Sequence, residues 1–466
     1  MIHPLKSLIS DQILLSNVAE LYGTPTYVYD KHQLVKNITS INNALINNFQ
    51  KFQICYTIKA NSNPAIIDIL KTTIPDLGAD CSSPGELFAA KIGGISTSDC
   101  IYTGNYESDD DLKSALEQGA HINLDDISSL YRLKKIGIPK EISFRLNPGF
   151  GKGAFSEVVT GGKNSKFGVP KEDIVDAYKL AKEIGIKEFG LQCMTGSGVL
   201  DPEYFPKLML EILKISELIM NDLNIEFNHI SIGGGYGIPY RENEEPLNFE
   251  LIFKNVSEIF HNFFQGKKIP SFWIEPGRSV IGNAGILLSQ VTGLKKSYKN
   301  FIGLDAGMET LMRPALYNAY HHIYKIGHLE SGSKQVVDFT GRICENTDRL
   351  AVDRSFPNII EGDLVAIMDV GAYGFSMSHQ FCTRPKSAEV IIDHGKVKLI
   401  RKREELQKKI DEWHKKRKGE NFDINEYKKF LIEIGYLVEK KENFKIKTKN
   451  LDSEISSIAG PQLVVP

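Results

Sequence analysis

Lys59 is the residue whose type and position most directly suggest covalent chemistry in this chain. It follows residues 53–58, in which polar and apolar side chains alternate as in a half-buried strand. A lysine at the end of a buried strand is poorly solvated, which is expected to lower its pKa and to free its amine to form a Schiff base. The same pattern also fits an ordinary solvated lysine where a strand meets a loop, so the interpretation depends on the rest of the chain.

A glycine run, an arginine and an acid supply groups that such a lysine could use. The glycines 233–235 let backbone N–H groups approach an anion, although a glycine run can also be a plain turn. Arg278 offers a fork for a phosphate or a carboxylate. Glu275 needs a positive partner at a buried strand end, either a protonated pyridine nitrogen or Arg278 alone. Together with Lys59, these are the parts required to bind pyridoxal 5'-phosphate.

The elements that must position these residues alternate between strand and helix over residues 33–280. Eight such repeats predict a closed (β/α)8 barrel of the TIM type, with an open doubly wound sheet as the competing architecture. The unusual residues fall at the predicted carboxyl ends of strands, where a barrel carries its chemistry. The predicted strands are residues 52–58, 77–80, 100–103, 121–124, 141–146, 188–193, 229–232 and 271–274, and the clearest helices are 110–118, 171–184, 204–220 and 249–264.

Beyond the barrel, short β-branched segments divided by Gly, Asp and Pro predict a second domain of antiparallel, sandwich-like β structure at residues 281–403. The N-terminal segment 1–32 contains a strand-like stretch that is expected to pair with this domain. A lysine-rich, short helical extension follows at residues 404–466.

Composition is that of an ordinary globular enzyme. The 466 residues are 42% hydrophobic and 24% charged, and the net charge of −2 gives no reason to expect nucleic acid or an anionic membrane as a partner. No secretory signal or bilayer-spanning run is recognisable. The six scattered cysteines have no metal-like spacing and are read as reduced thiols, so we expect a cytoplasmic protein without a metal site.

Nine motifs, in order, resemble the diaminopimelate decarboxylases, barrel enzymes that use pyridoxal 5'-phosphate to make L-lysine and CO2 from meso-2,6-diaminopimelate in the last step of lysine biosynthesis. The resemblance covers about residues 15–403 and implies a homodimer with active sites at the subunit interface. The motifs are YTIKAN, GADCSSPGEL, FRLNPGFGKG, NSKFGV, GGGYG, IEPGR, DAGMETLMRPALYNAYH, ICENTDR and GAYGFSMS.

The resemblance implies a role for each cofactor-binding position. Lys59 is then the Schiff-base lysine, Glu275 the partner of the pyridine nitrogen, and Asp80 a neighbour of the ring. Gly234, Gly235, Ser197 and Arg278 are expected to line the phosphate, with Tyr373 closing over it. Pro276 and Gly277, beside Arg278, are also expected to bind the cofactor.

The resemblance also assigns the substrate end of the site. Arg278, Arg313, Tyr317 and Tyr373 are expected to hold the substrate, the arginines and Tyr317 at its distal carboxylate. Cys344 and Glu345 would reach in from the other subunit. Cys344 would donate the proton after CO2 leaves, because a thiol is a suitable acid for a carbanion, and Glu345 would bind the distal ammonium.

One position departs from the family pattern. A histidine that stacks on the cofactor is expected where this chain has Met194, and an earlier histidine of the same motif is Gln192. A methionine can pack on the ring but cannot donate a proton, so chemistry is expected to be slower. Because of Met194, a cofactor-binding protein of low activity stays open as an alternative. A decarboxylase of ornithine, lysine or arginine is the other alternative, which Arg313 and Glu345 discriminate because only a distal carboxylate needs the arginine.

Two longer segments complete the sequence-based predictions. The glycine-rich residues 148–168 are expected to form a lid over the site. From about Leu406 the extension resembles a non-catalytic part of the G-type malate synthases, without any catalytic motif of that family, so no malate synthase activity is expected from it.

Overall fold

Strands of the barrel have both faces buried, and their sequences explain why. The computed structural model describes residues 3–327, 334–401, 413, 416–417 and 423–433. The strands are β1 Thr26–Asp30, β2 Phe52–Thr57, β3 Gly78–Cys81, β4 Cys100–Tyr102, β5 His121–Leu124, β6 Glu141–Asn147, β7 Val169–Pro170, β8 Glu188–Cys193, β9 Phe227–Ser231, β10 Ser271–Ile274, β11 Gly285–Lys296, β12 Asn300–Leu304, β13 Ile323–Lys325, β14 Lys334–Thr340, β15 Arg349–Pro357, β16 Leu364–Ile367, β17 Ala388–Asp393 and β18 Lys396–Arg401. Every residue of β3 is buried, and so is every residue of β6 except the first, as expected for parallel strands covered on both faces.

Helices alternate with the strands along the barrel part of the chain. Pro64 and Pro84 stand in the first turns of their helices, where the missing N–H group costs nothing. The helices are α1 Lys6–Ser10, α2 Gln12–Tyr22, α3 Lys31–Asn48, α4 Pro64–Thr73, α5 Pro84–Ile92, α6 Asp109–Glu117, α7 Ser128–Ile136, α8 Ile174–Glu183, α9 Tyr204–Leu223, α10 Phe249–Phe263, α11 Arg278–Ile281, α12 Arg313–Tyr317 and α13 Ile424–Glu433.

The parallel sheet closes on itself. Its order is β5-β4-β3-β2-β10-β9-β8-β6, and β5 pairs with β6 through Ile122 and Ile142 to complete the ring. The predicted barrel is therefore confirmed, and the open doubly wound sheet is wrong. All eight predicted barrel strands are present, with bounds that differ by a few residues.

The second sheet is mixed, which corrects the predicted antiparallel domain. Most neighbours in the order β15-β14-β12-β11-β1-β17-β18 are antiparallel, but β1 runs parallel to β17, and β12 runs parallel to β14. The parallel pairs arise because β1 enters the sheet from the N-terminus, between β11 and β17, rather than through a hairpin.

A loop of the β domain is hydrogen-bonded to the turn that follows β2. The Tyr373 backbone N–H donates to the Ala60 carbonyl at 2.8 Å, and the Asn61 side chain donates to the Gly371 carbonyl at 3.2 Å. Gly371 has no room for a side chain, because a Cβ there would lie 1.9 Å from the Ile281 carbonyl oxygen. The two domains are thus joined at the edge where the candidate site lies.

The remaining apolar contacts lie on the far face of the second sheet. Leu8, Leu15 and Val18 of α1 and α2 pack against Ile286 and Leu288 of β11. Residues 402–466 form a separate unit, in which the Trp413 ring stacks on Phe430 of α13 at 5.6 Å. Most of the segment that resembles malate synthase lies outside the described residues.

Among the residues that the structure describes, none of the helices combines the length and apolarity needed to cross a bilayer.

Candidate active site

A cavity of about 300 Å³ opens at the carboxyl ends of the barrel strands. Each barrel strand that carries a predicted site residue delivers it to this edge, as expected for a barrel of this type. The predicted residues that line the cavity are Lys59, Asp80, Met194, Ser197, Gly235, Glu275, Gly277, Arg278 and Tyr373.

Lys59 stands in a single 3₁₀ turn, Ile58–Ala60, directly after β2. Its Nζ lies 2.6 Å from Asp80 Oδ2 and 3.4 Å from Ser82 Oγ. Burial lowers the pKa of Lys59, but the carboxylates of Asp80 and Glu86 raise it by more, so that the pKa lies above its ordinary value. The prediction of a lowered pKa is therefore wrong for the chain by itself. The amine is held as an ammonium between acids.

Glu275 follows β10 and is 5% exposed. Its Oε1 accepts from Ser231 Oγ at 2.6 Å, and its Oε2 accepts from Gln192 Nε2 at 2.8 Å. Burial and the charge of Asp80 raise the pKa of Glu275 to about 7, against the lowering by Ser231, Gln192 and Lys59. The pKa of this carboxyl group therefore lies close to neutral pH, so the charge of a neighbouring group decides whether the carboxyl group is protonated.

Arg278 has partners other than Glu275, so the alternative of a simple Glu275–Arg278 ion pair is wrong. Its Nη1 donates to Tyr240 Oη at 2.6 Å and its Nη2 to Ser197 Oγ at 3.2 Å. The guanidinium lies 4.8 Å from the centroid of the Tyr373 ring. Its buried Nε has no hydrogen-bond partner in the described part of the chain. The arginine thus keeps donor capacity for an anion.

Gly235 lines the same cavity as Arg278. Its φ is +90°, and a Cβ there would lie 2.5 Å from the Gly196 carbonyl oxygen. Only glycine allows this backbone conformation without strain. Gly234 and Pro276 belong to the same two loops but do not line the cavity. The Gly234 N–H donates to Met194 Sδ at 3.3 Å, and the Pro276 carbonyl accepts from the Thr57 N–H at 3.1 Å.

Arg313 is almost completely buried, at 2% exposure, and lies behind Tyr240 rather than on the cavity wall. Its Nη1 lies 2.8 Å from His321 Nε2, and its guanidinium lies 4.8 Å from the Tyr240 ring centroid. Tyr240 therefore connects the two arginines that were predicted to hold a distal carboxylate. Tyr317 stacks on Phe155 at 5.7 Å.

Cys344 and Glu345 are exposed and do not line the Lys59 cavity of the same chain. The Cys344 thiol lies 3.7 Å from the Cys382 thiol, and Glu345 Oε2 accepts from Thr347 Oγ1 at 3.2 Å. A single chain therefore brings together the groups predicted for the cofactor, but not the predicted proton donor or the predicted ammonium ligand.

Residues 148–168 are hydrogen-bonded across the mouth of the barrel. The Asn147 side-chain amide donates to the carbonyls of Gly162 and Phe167, and the Ala154 N–H donates to the Ser197 carbonyl at 2.8 Å. The segment therefore packs on the loop after β8 that carries Ser197.

Sequence reasoning missed several groups in or near the cavity, among them Arg145, Tyr240 and His321. Arg145 of β6 lines the cavity and donates to the Met194 carbonyl at 3.2 Å, with Asp125 at 3.6 Å. An arginine inside an apolar strand was the signal that could have revealed it. Tyr240 and His321 carried no comparable signal, because aromatic and histidine side chains near turns are common.

The barrel and this cavity identify a class of enzyme. Residues 33–282 match the family described as "Pyridoxal-dependent decarboxylase, pyridoxal binding domain". The chain belongs to this family of decarboxylases, whose cofactor is pyridoxal phosphate.

Individual relatives point to one branch of the family. A diaminopimelate decarboxylase of Methanothermobacter thermautotrophicus is 40% identical over 83% of this chain and 91% of the relative. One from Thermoplasma acidophilum is 36% identical over 84% of this chain and 93% of its own length. The crystal structure of diaminopimelate decarboxylase from Helicobacter pylori complexed with L-lysine is 32% identical, with a TM-score of 0.77 over 87% of this chain and 99% of the other.

Proposed function

We propose that the chain decarboxylates meso-2,6-diaminopimelate to L-lysine and CO2, the last step of lysine biosynthesis. The observation that carries the proposal is the convergence of Lys59, Glu275 and Arg278 on one cavity, in a chain 40% identical to a diaminopimelate decarboxylase. The proposed substrate is therefore an amino acid with a second carboxylate and a second ammonium.

The residues fit pyridoxal 5'-phosphate. An amine, a buried carboxyl group and an arginine with an unpaired Nε face the same cavity, and Gly235 keeps one wall free of side chains. When bound, the cofactor supplies an electron sink for the carbanion left by CO2. We assign to Glu275 the task of keeping a proton on the pyridine nitrogen. Lys59 is assigned the covalent attachment through Nζ. Ser197, Gly235, Arg278 and Tyr373, which line the cavity, are assigned the binding of the phosphate, and Gly277 a contact with the cofactor. Gly234 and Pro276 are assigned to the loops that shape this part of the site.

At the substrate end, we assign the distal carboxylate to Arg278, Arg313 and Tyr317, with Tyr373 beside them. Glu345 and Cys344 are proposed to enter from a second copy in a homodimer, because both are exposed and away from the Lys59 cavity of their own chain. Cys344 then delivers a proton from its thiol to the carbon that has lost CO2. This arrangement makes the dimer a requirement for turnover.

The alternative substrate is ornithine, lysine or arginine. It is favoured by one observation, the position of Arg313 behind Tyr240 and against His321, which takes this guanidinium out of the cavity wall. A substrate with a distal carboxylate needs the arginine, whereas a simple diamine product does not. The second alternative, a cofactor-binding protein of low activity, is favoured by Met194, which has no proton to donate.

Release of CO2 from meso-diaminopimelate, lysine, ornithine and arginine, measured in parallel on the cofactor-loaded chain, tests these proposals. We expect release from diaminopimelate alone. Release from a monocarboxylate instead would contradict the assignment of the distal carboxylate. A bound-cofactor absorbance without any release would favour the binding protein.

Arg313→Lys sharpens the substrate assignment. The loss of a bidentate contact should raise KM for diaminopimelate by roughly 10- to 100-fold, with a smaller change in kcat. Arg354→Lys is the matched control, because Arg354 is also close to Tyr320 and His321 but is not assigned to substrate.

The cellular setting and the extension are proposed from weaker observations. All six cysteines are free thiols in the structure, as is common in the cytoplasm, and we propose that location. For residues 404–466 we retain the resemblance to a non-catalytic malate synthase segment and propose that they are not needed for decarboxylation.

A further inference from the structure

Two buried side chains to which no role has been assigned donate hydrogen bonds to Glu275. Ser231 ends β9, the strand next to β10, and Gln192 stands in β8, the strand after that, so two successive strands on one side of β10 each contribute one hydrogen-bond donor. Ser231 is fully buried, and Gln192 is 2% exposed. Each carboxylate oxygen of Glu275 thereby receives one donor.

The direction of the Ser231 hydroxyl follows from its neighbours. Its oxygen accepts from the Gly233 N–H at 3.0 Å, and the same oxygen lies 2.6 Å from Glu275 Oε1. A hydroxyl group has one proton, and Glu275 Oε1 is the acceptor towards which it points. Ser231 is therefore a donor to the carboxylate.

Gln192 is a donor that does not titrate. Its Nε2 lies 2.8 Å from Glu275 Oε2, while its buried Oε1 has no hydrogen-bond partner in the described part of the chain. The amide nitrogen has only donors, so it favours an ionised acceptor. The side chain also lines the cavity, next to the place where the ring of a cofactor would have to meet Glu275.

Charged neighbours of Glu275 both favour and disfavour its ionised form. Asp80 disfavours its charge, whereas Lys59 favours it, and the Arg145 cation is also within electrostatic reach. The other titratable groups that face it are the neutral, buried side chains Cys55, Cys193 and Tyr236. The two hydrogen-bond donors thus oppose burial and Asp80 at short range.

We propose that Gln192 is a positioning residue of the reaction: together with Ser231 it holds the Glu275 carboxylate ionised and aimed into the cavity. The inference rests on the proposed function, because only a bound pyridine ring gives an ionised Glu275 a task. Gln192 itself touches Glu275 and acts through it.

The test uses cofactor-loaded Gln192→Met, which keeps the volume and removes the donor. The visible absorbance of the bound cofactor is titrated against pH without substrate. Loss of a donor to the charged form should move the acidic midpoint of this titration upward by about one pH unit, since hydrogen bonds to charged groups are worth about that much. With substrate, kcat should fall by roughly tenfold and KM by less than twofold, as for an interaction that acts on the chemical step.

Three further variants keep the test decisive. Ser231→Ala should move the midpoint in the same direction, and Gln192→His, which restores a donor, should return it towards wild type. Gln118→Met, at the end of α6, should leave it unchanged. If Gln192→Met does not fold, the comparison of Ser231→Ala with Gln192→His decides.

A midpoint in Gln192→Met or Ser231→Ala that matches the Gln118→Met control would overturn the proposal. Failure of the proposed function is recognised separately. In that case the wild-type chain releases no CO2 from diaminopimelate, while the substrate-free absorbance titrations still report on Gln192.

Discussion

The two halves of the candidate site differ in how completely one chain builds them. On the barrel side, Lys59, Glu275 and Arg278 each have two or more hydrogen-bond partners at fixed distances. On the β-domain side, Cys344 and Glu345 are exposed and contact mainly their own loop and Cys382. The contrast teaches that one chain by itself preorganises the groups around Lys59 but leaves Cys344 and Glu345 apart from them, which is the arrangement that the proposed dimer requires.

Removal of Lys59 should have the largest effect on the barrel side. Lys59→Ala is expected to lower CO2 release by at least about a thousandfold, because covalent attachment and the ammonium at Asp80 are both lost. Absorbance and activity are the measurements. Lys140→Ala, at an exposed position, is the control. Substantial activity in Lys59→Ala would contradict the assignment of the attachment site.

Cys344→Ala should lower the decarboxylase activity nearly as much as Lys59→Ala, but it should leave the absorbance spectrum of the bound cofactor unchanged. Loss of a general acid is expected to reduce kcat by roughly 10²- to 10⁴-fold. Cys382→Ala removes the neighbouring thiol and should have a much smaller effect. A changed cofactor spectrum in Cys344→Ala would show that Cys344 belongs with the residues around Lys59 that surround the cofactor.

Mixing the Lys59→Ala and Cys344→Ala variants tests directly whether Lys59 and Cys344 of one site come from different chains. If Cys344 serves the partner's cavity, dimers that exchange subunits between Lys59→Ala and Cys344→Ala contain one intact site. Random exchange should then restore about a quarter of the wild-type activity. Size and activity are measured before and after mixing. No recovery despite demonstrated exchange would show that both residues serve the same chain's site.

The pH dependence of stability reports the smaller electrostatic effect of burying Glu275. Its pKa is raised from 4.5 to about 7 in the folded, cofactor-free chain, so the folded state binds more protons between these values. The free energy of unfolding contributed by this group is therefore greatest below pH 4.5 and falls as pH rises, by at most about 1.4 kcal/mol per pH unit. Denaturant unfolding of wild type and Glu275→Gln should diverge accordingly. Parallel curves would contradict the raised pKa.

Deletion of residues 406–466 should have the smallest effect. Because none of the predicted site residues belongs to this segment, activity is expected to stay within about twofold of wild type. Loss of activity in a soluble, folded truncation would show that the extension supports one of the two halves.

Local sequence signals were sufficient for the barrel and for several of the residues that line its cavity. Apolar runs separated by turns located its eight strands, and the rule that chemistry lies at strand ends selected Lys59, Asp80, Glu275 and Arg278. Three strands of the β domain, β13, β15 and β18, were missed. β13 has only three residues, and the alternation of β15 is broken by Asp353 and Arg354.

The raised pKa of Lys59 could not be predicted from the residues next to it in the sequence. It depends on the β2–β3 register, which places Thr57 opposite Asp80 and so brings an acid from the next strand to the lysine. Gln192 likewise looked like a departure from a motif, and only the pairing of strands around β10 shows that it meets Glu275. Contacts between strands, rather than residue types, decided both cases.

The hydrogen bond from Tyr373 to the Ala60 carbonyl has a consequence for any attempt to separate the two domains. A barrel cut at residue 282 would keep every strand that delivers a cofactor residue. It would nevertheless leave the Ala60 carbonyl and the Asn61 amide without their β-domain partners, next to Lys59. Residues 371–376 are therefore part of the lysine's scaffold, and a functional minimal version of this barrel would have to include them.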